Sequence, residues 1–205
     1  MQPVLETPGR DAFALWPVGD YLPYGFLALN ATMSPADVGT AVMHIADHNE
    51  VEPGADERSA RPADPVGDFL RGLLTSEYPA APGGFRVADP ATGTTLLPGC
   101  CNGLEEWHDW FEVLDGEGVV HFGHSPTPEA RREGTTVRLT PDTSAGDGPA
   151  IELPLAELRR LVAGAERDLT GFLRLADAWA ARQLPDRRAP LAAALARALG
   201  LAEEP

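Results

Sequence analysis

The chain has 205 residues, of which 43 % are hydrophobic and 23 % charged, a globular composition with enough apolar side chain to build a core. No stretch approaches about eighteen uninterrupted apolar residues, and the opening MQPVLETPGR has neither a basic nor an apolar leader segment, so no membrane span and no secretory signal are expected. The net charge of −15 is unevenly placed, with 23 acids against 8 arginines in residues 1–150 and 8 of each in residues 151–205; this field repels phosphate backbones and argues against nucleic-acid binding.

The N-terminus is a Pro/Gly-punctuated stretch, followed by YGFLALNAT (24–32), which reads as a buried strand. SPAD then signals a helix start: Ser34 as N-cap, Pro35 at the first helical position and Asp37 closing a capping box. The helix is expected to run to about His48, with Val38, Ala41, Val42 and Ile45 on one face. Residues 49–63 read as a polar loop. Asp64 caps a second short helix striped by Val66, Phe69, Leu70, Leu73 and Leu74.

GFRVAD (84–89), GTTLL (93–97), GVVHFGH (118–124) and TTVRLT (135–140) are strand candidates, each bounded by Gly or Pro. Between them, Asn102 is placed to cap a helix with Glu105 as the box acid; Leu104, Trp107, Phe111 and Leu114 form its apolar face and Trp110 lies beside it. From Pro154 the period becomes helical. Gly164 is a break or bend, Pro185 a stop, and a last helix ends at Gly200. The expectation is an α+β fold in one domain over 1–205, mixed to about 150 and helical from 151.

Three clusters carry candidate chemistry. PGCCNGLEEWHDW (98–110) places Cys100 and Cys101 just before a helix start, where a thiol's pKa can fall. No cysteine-hydrolase motif surrounds them, and six acids with no arginine or lysine lie between 105 and 117, so both thiols read as free, small, buried packing residues. Two cysteines without an export signal also fit a reducing cytoplasm. In HIADHNE, His44 and His48 are four apart and share a helix face with Asp37; His121 and His124 form a second pair. Those five residues are the candidate ligands for a divalent transition metal such as zinc, although the glutamate that zinc proteases place between such histidines is missing. Arg131 and Arg132 are flanked by Glu129 and Glu133, which favours a solvated surface pair. No phosphate-binding loop, dinucleotide fingerprint or nucleophile elbow occurs. All 16 basic residues are arginine, which with abundant Ala, Gly and Pro reads as coding bias from a GC-rich genome.

The pattern LLPGCCNGLEEWHDWFEVLDG, then FGHSP and VRL, then ERDLTGFLRLADAW, resembles a family of uncharacterised actinobacterial proteins, a resemblance that implies no chemistry. YLPYGFLALN is similar to the Leu-Pro-aromatic start of SUKH-type immunity proteins, though Ala31 stands where their glycine is expected. That resemblance implies an α+β domain that binds and neutralises a toxin.

The leading expectation is a non-enzymatic cytoplasmic binding protein, an immunity or regulatory protein that holds a basic protein partner on an acidic surface. Its contact residues are Glu105, Glu106, Asp109 and Glu112 with Glu50, Glu52, Asp56 and Glu57. Solubility alone is the competing explanation of the charge. The alternatives are a metal-dependent enzyme built on His44, His48 and Asp37 with His121 or His124, and a structural or scaffold protein of a gene cluster.

Overall fold

The computed structural model describes residues 1–10, 12–51, 64–116, 118–146 and 148–202. Among these described residues, two four-stranded antiparallel sheets carry the mixed part. The first has the order β2 (Gly25–Ala28), β1 (Gln2–Thr7), β3 (Gly83–Ala88), β4 (Thr95–Leu96). The second runs β5 (Val119–His121), β6 (Glu129–Glu133), β7 (Thr136–Thr140), β8 (Ile151–Pro154) in sequence order. Among the described residues, five α-helices complete the fold: α1 (Pro35–His48), α2 (Pro65–Thr75), α3 (Trp110–Asp115), α4 (Leu155–Gln183) and α5 (Arg188–Ala198). The α+β expectation holds, and no helix is long and apolar enough to cross a membrane among the described residues.

β1 is an inner strand that the sequence reading did not see. Pro3, Val4 and Leu5 are consecutive and buried, because β2 and β3 flank the strand and α1 and α4 pack against it. A strand covered in this way reads as an apolar run without alternation, and the surrounding prolines hide it. β6 and β8 were missed for a different reason. EARRE is polar, yet it pairs on both sides, Ala130 facing Val120 and Leu139. In β8, Ile151 and Leu153 point inward while Glu152 points out and meets Arg138 across the sheet at 2.6 Å. The mixed part therefore extends to Pro154.

α1 begins as its sequence dictates: the Ser34 hydroxyl accepts from the Asp37 N–H, and the Asp37 carboxylate accepts from the Ser34 N–H. Its burial is wider than one face, covering every residue from Val38 to Ala46, because α2, α4 and β1 all pack against it. α4 is continuous through Gly164. Its Leu158, Val162, Ala165, Leu169, Phe172, Ala176 and Trp179 alternate steps of four and three residues, which makes one long buried stripe. Trp16, from the segment joining β1 to β2, locks these helices together. Its indole N–H donates to the Gly39 carbonyl at 2.9 Å, and its ring meets Trp179 edge-on at 5.5 Å and Phe69 at 5.7 Å. Buried side chains from Leu5 to Leu199 form one hydrophobic cluster spanning both sheets and all five helices.

Candidate functional site

The chain between β4 and β5 joins the two sheets. Beyond β4 the chain turns at Pro98-Gly99, and the backbone of Gly99 and Cys100 pairs with that of Phe122–His124 just past β5. The Gly99 N–H donates to the Phe122 carbonyl at 2.8 Å; Cys100 and His124 exchange both backbone bonds, at 2.7 and 3.1 Å. Glycine is required on each side of this contact. A Cβ on Gly99 would sit 2.3 Å from the Pro126 carbonyl oxygen and 2.6 Å from the His124 nitrogen. Gly123 lies at φ +92°, and a Cβ there would sit 2.6 Å from the Cys100 oxygen. Cys101 and Ser125 take φ values of +65° and +52°, a region that costs an L-residue roughly 1–2 kcal/mol.

This geometry corrects the packing reading of the thiols: Cys100 and Cys101 are both free and exposed. The left-handed turn at Cys101 keeps the pair outside the core, and their sulfurs lie 3.3 Å apart. The Cys100 thiol is pushed above its ordinary value, first by its hydrogen bond to Cys101 and by that neighbour's charge, with Glu6 on β1 adding to the effect. His124 is exposed as well, and the donor atoms of Cys100, Cys101 and His124 all lie within 4.8 Å of one another. Among the described residues this is the one group of three or more metal-capable side chains that converges so closely.

After Asn102 the chain enters a 3-10 turn, Leu104–Asp109, which runs into α3. Three residues per turn put Leu104, Trp107 and Trp110 on one stripe, and all three are buried. The α-helical spacing assumed from sequence assigned that stripe to Phe111 instead of Trp110; Phe111 is only half-buried. Trp110 stacks on Phe122 with centroids 4.2 Å apart, and the Trp107 indole donates to the Gly200 carbonyl at 3.3 Å. The cap also shifts by one residue: Glu106, not Glu105, accepts from the Gly103 N–H at 3.2 Å, while Asn102 donates to the Gly83 carbonyl at 2.7 Å.

The acids selected from sequence thus divide into two kinds. Glu105 is half-buried and accepts from the Ala81 N–H at 2.9 Å; burial raises its pKa while that bond opposes the shift. Glu105 and Glu106 hold backbone. Asp109 and Glu112 are exposed, and no arginine stands within ion-pair distance of either among the described residues. Asp109 is raised from its ordinary value chiefly by partial burial and also by the Glu106 charge, while the neighbouring His108 works against the shift. Six residues beyond Asp109, Asp115 is paired with Arg159 at 2.7 Å. Glu50 is exposed at the end of α1, and Glu52, Asp56 and Glu57 lie outside the described residues.

The histidine candidates separate. Asp37 is engaged in the α1 cap. His44 is buried, 1 % exposed, and meets the Tyr21 ring edge-on at 4.6 Å; neither ring nitrogen has a hydrogen-bond partner among the described residues. Burial, with help from Arg10, lowers its pKa to about 4. His48 is exposed in the last turn of α1, and His121 points to solvent 3.9 Å from Glu129. No close three-ligand group includes Asp37, His44, His48 or His121 among the described residues. The arginine pair also divides: Arg131 binds Glu129 at 3.0 Å, whereas Arg132 donates to the Leu114 and Gly116 carbonyls at 3.3 and 2.7 Å and anchors the end of α3.

The fold and this segment define an α+β chain whose two sheets meet at an exposed thiol–imidazole cluster beside an acid-bearing helix. No family model, curated protein or solved structure matches the chain.

Proposed function

We propose that the protein is a binding protein that holds a basic protein partner through its acidic surface, in an immunity or regulatory role in the cytoplasm. The observation that carries this reading is the exposure of Asp109 and Glu112 on the 104–115 helical segment without a pairing arginine. That contrasts with the arginine-paired Asp115, Glu152, Glu157 and Asp177 elsewhere on the surface. Trp107 and Trp110 fix the segment beneath them, so the two carboxylates are presented from rigid backbone. Unpaired like charges on a firm support raise the encounter rate with a cationic surface and penalise an acidic one.

The test uses the full chain as bait in a lysate of its source cell at low salt, in parallel with D109N/E112Q and with E133Q/E166Q, which removes the same charge elsewhere on the surface. The expected result is one basic protein retained by wild type and by E133Q/E166Q and lost by D109N/E112Q. Equal retention by both double variants, or no basic protein on wild type, overturns the reading.

A further inference from the structure

We propose that Cys100, Cys101 and His124 form a binding site for a single zinc ion, held by two thiolates and one imidazole with the remaining position open to solvent. This inference is independent of the partner reading. The three donor atoms converge within 4.8 Å of one another; bonds of about 2.3 Å to sulfur and 2.0–2.1 Å to nitrogen put tetrahedral ligand atoms roughly 3.5–3.8 Å apart, so small side-chain rotations bring the three around one centre. The sulfurs stand 3.3 Å apart; opening them to about 3.8 Å gives a tetrahedral angle at those bond lengths. Side-chain rotation alone supplies that change, because both cysteines are exposed.

The backbone around the site is already organised. Reciprocal bonds between Cys100 and His124 fix two ligands from chain segments 24 residues apart, and Gly99 and Gly123 permit the approach. Cys101 takes a left-handed turn that brings its sulfur back toward Cys100. A sterically disfavoured residue placed at a ligand is the pattern of a pre-formed site. A bound ion would tie the β1–β4 side of the molecule to the β5–β8 side at their junction.

Charge favours a divalent ion. Binding breaks two S–H bonds, releases both protons to solvent, and leaves a neutral centre of one Zn²⁺ and two thiolates. A monovalent copper ion on the same ligands would leave a net negative centre beside Glu6, in a stretch where acids outnumber arginines by 23 to 8. Thiolate and imidazole donors together suit zinc, and carboxylate-preferring magnesium and calcium are disfavoured.

The experiment titrates reduced, metal-stripped full-length protein with Zn²⁺ against a chromophoric chelator, with Co²⁺ as an absorbing substitute. Expected are one equivalent bound, a thiolate-to-cobalt charge-transfer band, and affinity that rises by up to about a hundredfold per pH unit below the thiol pKa, two protons being released. C100S, C101S and H124Q should each weaken binding by more than the roughly 10–100-fold seen when an outer-shell partner is lost. H121Q, three residues from His124 but outside the cluster, should bind as wild type does. Less than one equivalent on wild type, a Co²⁺ spectrum without the charge-transfer band, or equal affinity in H124Q and H121Q overturns the site. The spectrum of the wild-type protein decides the matter even if a variant fails to fold.

Discussion

Replacing His44 with leucine is expected to remove a pH dependence of stability that comes from one buried ring. In the folded chain His44 is 1 % exposed and titrates near 4 against an ordinary value of 6.5, chiefly because burial disfavours the imidazolium and secondarily because Arg10 repels it. The unfolded chain therefore takes up this proton first as pH falls. The stability tied to neutral His44 is fully present above pH 6.5, is lost between 6.5 and about 4, and levels off below that. A depression from 6.5 to about 4 corresponds to about 3 kcal/mol at 1.36 kcal/mol per pH unit. Many carboxylates titrate over the same range, so the wild-type curve alone is uninformative. The difference between wild type and H44L isolates the ring, measured by denaturant unfolding at several pH values from neutral to about 4. The variant should gain on wild type by about 3 kcal/mol across that interval. A difference that stays constant with pH would show that His44 is not held neutral by the fold.

Three further outcomes follow from the same structure. Gly99→Ala forces a Cβ to within 2.3 Å of the Pro126 oxygen, so it should lower stability by about 2 kcal/mol or more in denaturant unfolding; Gly93→Ala, at φ +75° with nothing within 4 Å, should cost only about 1 kcal/mol. Trp110→Ala should cost about 3–5 kcal/mol and Phe111→Ala clearly less, because the 3-10 turn buries Trp110 and leaves Phe111 half-exposed; the reverse order would mean an α-helical start. Cys101→Gly relieves the left-handed backbone at φ +65° and should raise the thermal midpoint, with a gain of roughly 1 kcal/mol; a lower midpoint would show that the thiol itself stabilises the apo fold.

Where local chemistry alone decides structure, the sequence was readable. Ser34 with Asp37, Pro35 and the stripe of α4 specify their helices without tertiary help, and the observed bounds follow them. β1 and β6 were not readable in this way. One is an apolar run broken by proline, and the other is a polar strand held by neighbours on both sides. The candidate site was half legible. PGCC and FGHSP stand out, but nothing local says that Gly99–Cys100 pairs with Phe122–His124. The acidic neighbourhood and the lack of a cysteine-hydrolase motif suggested that the thiols were packing residues, whereas the left-handed turn at Cys101 exposes them. The histidine stripe on α1 misled for a related reason. Helical spacing puts His44 and His48 on one face, but it does not show that His44 is enclosed by the segment carrying Tyr21.

Association kinetics of the recovered basic partner, at about 0.01 M and about 0.15 M salt, test the acidic-surface reading most directly, since the screening length shortens from about 30 Å to about 8 Å between them. The predicted result is a rate constant for wild type that falls about tenfold or more, with a clearly shallower dependence for D109N/E112Q. A rate indifferent to salt, or an identical slope for the variant, would contradict it.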